Sequence, residues 1–233
     1  MNRVRVLPLL TASEQRSEQR PQRSAAAATA PHIGGWLARR PVKPTLFVLA
    51  SAPFALLVFG ALAGTLGANP AETLIRRSGD WTLRLLCLTL ALTPLRRLTG
   101  WQALARWRRM LGLFTFFYAA CHFLAYAWLD KGFDAAAIAR DIGKRPFILV
   151  GATALALLLP LAATSFDRAI KALGAARWRA LHRAVYAIAP LALLHFYWMR
   201  AAKRDFDEVV VYAGIVALLL GWRAWRARAR CAR

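Results

Sequence analysis

Three histidines, His122, His182 and His195, lie in or at the edges of long apolar runs, whereas His32 sits in a polar stretch and reads as an ordinary solvated residue. An ionisable side chain inside a bilayer is costly and is therefore a pointer to function. A neutral imidazole is a good iron ligand, and two facing helices that each offer one can clamp a haem between them. Interhelical hydrogen bonding and a proton relay are the plainer uses of such residues. Three histidines at matched depths favour haem over both.

Depth decides which histidines could share an iron. His122 lies 12 residues beyond the start of an apolar window at 110, and His195 lies 14 beyond one at 181. At a rise of about 1.5 Å per residue the two depths agree within a few ångström, so they form a candidate axial pair. His182 stands at the other edge of the membrane, roughly 20 Å along the helix from His195 by that rise. Fourteen residues before His122, about four helical turns and so nearly the same face, is Arg108, at the depth of His182. A guanidinium stays protonated and is a poor iron ligand. Two roles for Arg108 stay open: pairing with a haem propionate, or marking the membrane boundary as Arg106 and Arg109 do. A second haem at His182 and Arg108 is conditional on the first role. A 13-residue offset leaves His182 and His195 roughly 140° apart on a straight helix, so Pro190 between them is expected to kink the helix and realign them.

The elements that must position these residues are membrane helices. Six windows, 45–67, 81–98, 110–129, 147–166, 181–199 and 208–225, approach the 20 or so apolar residues that cross a hydrocarbon core of about 30 Å. The second is the least clean, with Arg84 near its start, expected to snorkel to the interface, and Pro94 near its end. Backbone satisfaction in lipid makes an all-α, six-helix transmembrane bundle the expected fold. With the N-terminus placed in the cytoplasm, the four cytoplasmic segments hold 23 of the 33 Lys and Arg residues, and eight of the 11 acids fall on the opposite side. That asymmetry puts both termini inside. Trp81, Trp128, Trp198 and Trp222 lie near span ends, as an aromatic belt requires. The expected organisation is a disordered basic tail over 1–40, a transmembrane domain over 41–226 and a basic cytoplasmic tail over 227–233.

The net charge of +22 would suit a nucleic-acid binder if the basic residues covered a solvated face, but they fall between apolar runs and set topology instead. No nucleic-acid partner is expected. Cys87, Cys121 and Cys231 form no CxxC or CxxCH, which leaves no zinc ribbon and no covalent haem attachment. Any haem is held non-covalently. The N-terminus lacks the arrangement of a cleaved secretory signal. No glycine-rich phosphate loop or internal repeat is present.

The sequence resembles the MsrQ branch of the ferric-reductase-like transmembrane family. The resemblance rests on Gly67-Ala68-Asn69-Pro70, Leu90-Ala91-Leu92-Thr93-Pro94-Leu95, Arg108-Arg109-Met110-Leu111-Gly112-Leu113, Cys121-His122-Phe123, Lys144-Arg145-Pro146, the run from Leu159 to Ser165, and Leu181-His182-Arg183-Ala184-Val185-Tyr186 through His195. It implies a haem b protein of the bacterial inner membrane that passes electrons to a periplasmic molybdopterin-containing catalytic subunit (MsrP), which reduces methionine sulfoxide in oxidised proteins. The electron-transfer subunit itself would bind no sulfoxide. It also implies that His122, His182 and His195 hold haem iron. In the wider family two helices each usually carry a histidine pair, and Arg108 stands where the fourth histidine would be. Related oxidases carry a cytoplasmic flavin and nicotinamide domain, and no dinucleotide fingerprint is present in this sequence. Electrons are therefore expected from membrane quinol or a separate flavin reductase, with flavin mononucleotide (FMN) as an additional cofactor that no sequence motif locates.

Two other functions compete. A metal-ion (ferric) reductase would reduce a soluble acceptor at the outer face, but the outer loops hold no metal-ligand cluster. A transporter or scaffold would use the histidines for proton movement or packing, and would be colourless. It would often carry inverted repeats and broken helices, and neither is visible.

Overall fold

The computed structural model describes residues 42–201 and 204–231, so the expected tail over 1–40 and His32 lie outside the described residues. Within them the chain is helical, without strands. Six longer helices are α1 (Val42–Leu62), α2 (Pro70–Thr99), α3 (Ala103–Ala125), α5 (Pro146–Ala163), α8 (Val185–Ala201) and α9 (Asp207–Cys231). Shorter ones are α4 (Ala135–Lys144), α6 (Asp167–Leu173) and α7 (Ala175–His182). A π-helical turn, Tyr126–Asp130, extends α3.

Four of these segments, Val42–Leu62, Ala103–Asp130, Pro146–Ala163 and Asp207–Ala229, are long and apolar enough to cross a membrane. No more than 28% of any of their most apolar windows is buried within the protein, so their apolar surface needs lipid to cover it. Phe47, Val48, Leu56 and Phe59 on α1, and Val210, Val211 and Leu218 on α9, are examples of this exposed surface. The chain is a multi-pass membrane protein. The second sequence window falls within α2, which carries charged residues along its length, and most of the fifth falls on the 17-residue α8.

Local chemistry explains the helix limits. α2 starts 11 residues before its apolar window because Asn69 caps it, accepting from the Glu72 N–H at 3.1 Å, with Pro70 in the first turn. It ends at Gly100, whose φ of 73° gives a left-handed cap. α4 begins at Asp134, whose carboxylate accepts from the Ala136 and Ala137 N–H groups.

One expectation is corrected. The window 181–199 is not one helix, because α7 stops at His182 and α8 starts at Val185. Tight i→i−3 bonds, Arg183 N–H to the Ala180 carbonyl and Ala184 N–H to the Leu181 carbonyl, turn the chain between them. His182 and His195 are therefore on different helices, and the break falls at 183–184, while Pro190 lies inside α8. Arg84 also departs from expectation. It is partly buried, with Nε donating to the Tyr212 hydroxyl at 3.2 Å and its guanidinium 5.0 Å over the Trp81 ring.

α2 packs most extensively against α3, and α5 against α8, with α9 leaning on α2 and α8. The main core draws Leu83, Leu86 and Leu90 from α2, Ala119 from α3, Ala154, Leu158 and Leu161 from α5, Ile188 and Ala189 from α8, and Val216 and Leu219 from α9. A smaller cluster of Ala50, Leu85, Leu111 and Tyr118 joins α1 to α2 and α3. Tyr118 is fully buried, and its hydroxyl donates to the Ala50 carbonyl at 2.8 Å and accepts from the Phe54 N–H at 2.9 Å. An unbroken helix would pair those two backbone groups with each other. A side chain of α3 thus pins α1 beside Pro53. The Tyr118→Phe variant should be destabilised by about 1–3 kcal/mol, the range for losing a buried hydrogen-bonding group. A lower midpoint in thermal unfolding of the detergent-solubilised protein is the measurement.

Candidate functional site

α3 and α8 bring His122 and His195 together. Their ring centroids are 6.0 Å apart with planes at 76°. His122 Nδ1 lies 2.8 Å from the Ile75 carbonyl of α2, and His195 Nδ1 lies 2.7 Å from the Phe147 carbonyl of α5. A carbonyl has no proton to give, so each Nδ1 carries the hydrogen and donates it. Each Nε2 is left with its lone pair. This is the tautomer a metal-bound histidine needs, held by a second partner behind the ring.

The two rings line a cavity of about 520 Å³, within the range of cofactor-sized pockets. Its walls are apolar, with Leu83, Leu155 and Ile188 among them, and its rim carries Arg76, Asp80, Tyr126, Arg145 and Arg200. With a metal–imidazole bond of about 2 Å and about 1 Å from nitrogen to ring centre, two histidines that would hold one metal between them need ring centres roughly 6 Å apart. The observed separation meets that requirement. Among the described residues no group of three His, Cys, Asp or Glu side chains could hold a bare metal ion. A haem, whose macrocycle supplies the other four ligands, needs only the pair.

A second cavity, of about 540 Å³, holds the other two candidates, His182 and Arg108. It is also lined by Arg96, Arg109, Arg179 and Arg183, with no carboxylate in its wall. Arg109 is paired with Asp167 at 2.6 Å. The Thr89 and Thr93 hydroxyl oxygens are buried without hydrogen-bond partners and belong to residues of this wall. His182 Nδ1 donates to the Trp178 carbonyl at 3.1 Å, and its ring stacks on Trp178 with centroids 4.0 Å apart. Its Nε2 lies 3.5 Å from the Ser165 hydroxyl, which itself donates to the Leu161 carbonyl at 2.6 Å. One hydroxyl has one proton, so His182 Nε2 also keeps a free lone pair. The lining has no second histidine, and the chemistry of its wall suits an anionic, oxygen-rich group.

Both cavities are walled by Leu86 and Leu158, so a single apolar layer divides them. Arg108 and His122, one in each, are 14 residues and about 21 Å apart along α3.

The structure places the four polar side chains singled out by the sequence in two cavities, and the sequence gives little sign of the groups that hold them. The Ile75 and Phe147 carbonyls have no sequence signal. Gly79 and Gly151, whose Cα atoms face the two imidazoles, had a weak one, being glycines inside helices. Arg200 was also missed. Its side chain is 11% exposed and bonds Asp205, Glu208 at 2.6 Å and Asp80 at 3.6 Å, tying the cavity rim on α2 to α8 and α9.

The family model described as the ferric reductase like transmembrane component matches residues 78–193. A protein-methionine-sulfoxide reductase heme-binding subunit MsrQ from Polaromonas naphthalenivorans is 61% identical over 198 residues, covering 85% of this chain and 90% of that protein. Proteins with the same name are 50% identical in Herminiimonas arsenicoxydans, over 81% of this chain and 88% of the relative. In Bordetella pertussis the identity is 53%, over 80% and 92%. No solved structure matches the chain.

Removing Arg200 leaves Asp80 half-buried beside the cavity without its ion-pair partner. Arg200→Met should therefore destabilise the fold by about 3 kcal/mol, the lower end for breaking a buried pair. Asp80→Asn in the same background should recover part of that loss, as read by thermal unfolding of the double variant.

Proposed function

Because the chain belongs to the MsrQ family of ferric-reductase-like transmembrane proteins, we propose that it is the haem b electron-transfer subunit of a protein-methionine-sulfoxide reductase, with His122 and His195 as the axial ligands of one haem. The observation that carries this assignment is the ring pair: centroids 6.0 Å apart, with both Nδ1 atoms engaged by backbone carbonyls.

In this reading α1, α2, α3, α5, α8 and α9 cross a bacterial inner membrane six times, with both termini in the cytoplasm. The transmembrane domain spans 41–226, flanked by basic tails over 1–40 and 227–233. The excess of Lys and Arg on one side supports the orientation. The His122/His195 cavity then faces the periplasm and the arginine cavity the cytoplasm. The resemblance to MsrQ proteins supports a periplasmic molybdopterin-containing catalytic subunit as the acceptor, and the quinone pool or a flavin reductase as the donor.

When bound, haem supplies one-electron chemistry. The chain's own residues do the rest. His122 and His195 present Nε2 lone pairs from opposite walls, and the Ile75 and Phe147 carbonyls fix their tautomer. Leu83, Leu86, Leu155, Leu158 and Ile188 exclude water. Arg76, Arg145 and Arg200 at the rim suit propionate groups, with Arg200 already engaged by carboxylates. In the second cavity His182 and Arg108 would hold either a further haem or FMN, whose anionic groups the surrounding arginines would match.

Purified His122→Ala and His195→Ala variants should each lose the bis-histidine haem from the reduced-minus-oxidised spectrum, with at least a tenfold fall in that signal. His182→Ala should keep it. Full retention of the spectrum in either of the first two variants would refute the assignment. Mixing the reduced subunit with the molybdenum subunit should give oxidation that depends on methionine sulfoxide, whereas rapid oxidation by ferric chelates alone would point to a metal-ion reductase.

A further inference from the structure

Gly79 of α2 and Gly151 of α5 occupy equivalent places in two helices that contribute no histidine. Each lies four residues after the carbonyl that accepts from an imidazole: Ile75 before Gly79, and Phe147 before Gly151. In a helix the groups at i and i+4 stack one turn apart on the same face. Each ring therefore lies against one turn of a neighbouring helix, with Nδ1 on the carbonyl at its start and the ring body over the glycine at its end.

The space is tight. A Cβ on Gly79 would stand 3.1 Å from His122 Cε1 and Nδ1, and one on Gly151 would stand 2.8 Å from His195 Nδ1 and 2.9 Å from its Cε1. These rings cannot withdraw freely, because the ring edge that would be struck is the edge that makes the hydrogen bond. Among the other helical glycines, Gly60 is also crowded, but by the Leu66 side chain at 2.8 Å rather than by a histidine. A Cβ on Gly112 would meet only Thr89 Cγ2 at 3.8 Å, and one on Gly214 would meet nothing within 4 Å.

We propose that Gly79 and Gly151 are positioning residues for the haem-ligating histidines: by lacking a Cβ they let each Nδ1–H reach its carbonyl, and so set the 76° crossing of the ring planes and the electron donation of each ligand. This rests on the haem assignment above. A strong Nδ1–H···O=C bond raises the basicity of the ligating nitrogen and favours ferric iron. Weakening it moves the potential upward. Gly151, with the shorter contacts, carries the larger effect.

The test compares Gly79→Ala and Gly151→Ala with Gly214→Ala and Gly221→Ala, whose added Cβ atoms would meet nothing within 4 Å, each purified as the full chain in detergent. Haem per chain, the redox midpoint and the low-spin ferric electron paramagnetic resonance signal, which reports the ring-plane angle, are read on each. Gly151→Ala is expected to lose haem several-fold, or to hold it with a more positive midpoint and an altered signal. Gly79→Ala should keep haem with a smaller shift in the same direction. The two control variants should match the wild type. If Gly151→Ala does not accumulate, Gly79→Ala alone decides, because its clash needs a shift of only a few tenths of an ångström. Wild-type protein that holds no haem would sink the premise. Wild-type protein that holds haem, with Gly79→Ala and Gly151→Ala identical to it in midpoint and signal, would overturn the positioning role while leaving the ligands standing.

Discussion

In a bundle of membrane helices the plentiful hydrogen-bond acceptors are backbone carbonyls, and each keeps a second lone pair after its helical bond is made. The proposed haem site depends on that spare capacity. A histidine placed in the apolar interior must satisfy one nitrogen there, or bear the cost of leaving it bare. The Ile75 and Phe147 carbonyls accept from His122 and His195 without opening their own helices. The ligand lone pairs then point into the cavity by elimination. The packing of α2 on α3 and of α5 on α8 brings each carbonyl within about 3 Å of a ring nitrogen, and a glycine one turn on lies against each ring.

The same arithmetic governs places where proline interrupts a ladder. Pro94 has no N–H for the Leu90 carbonyl, and the guanidinium of Arg223 reaches from α9 to bond that oxygen. Arg223 also bonds the Leu219 carbonyl of its own helix and lies 5.3 Å over the Tyr186 ring. Near Pro53 the Tyr118 hydroxyl serves two backbone groups of α1. Both contacts cross-link one helix to another. Close to the cavities, α2 is thereby tied to α9, and α1 to the helix that carries His122.

Depth made the site legible in the sequence. His122 and His195 were paired by counting residues from window edges, and Arg108 was matched to His182 the same way. Both matches describe the cavities that the structure contains. Counting failed at the break between α7 and α8, because Leu181 to Tyr186 has neither glycine nor proline and its pattern reads through as helix. The 140° mismatch was the one sign of it, and it was assigned to Pro190. The start of α2 was hidden differently: Asn69-Pro70 is a good helix start, but the charged residues 72–80 lie outside any apolar window. Carbonyl partners could not be read at all, since every residue has a carbonyl and only tertiary packing selects two of them.

The apolar layer between the cavities has its own consequence. Leu86 and Leu158 wall both, and Leu83, Ala154 and Ile188 extend the barrier as part of the main core. An electron crosses a single layer of side chains by tunnelling, but a proton needs a chain of polar groups or water, and this layer contains neither side-chain donors nor acceptors. Polar side chains resume only on either side of it, with Thr89, Thr93 and the arginines in one cavity and Asp80, Tyr126 and Arg200 at the rim of the other. The two cavities are thus set apart by an apolar layer whose side chains offer no hydrogen-bonding path from one to the other.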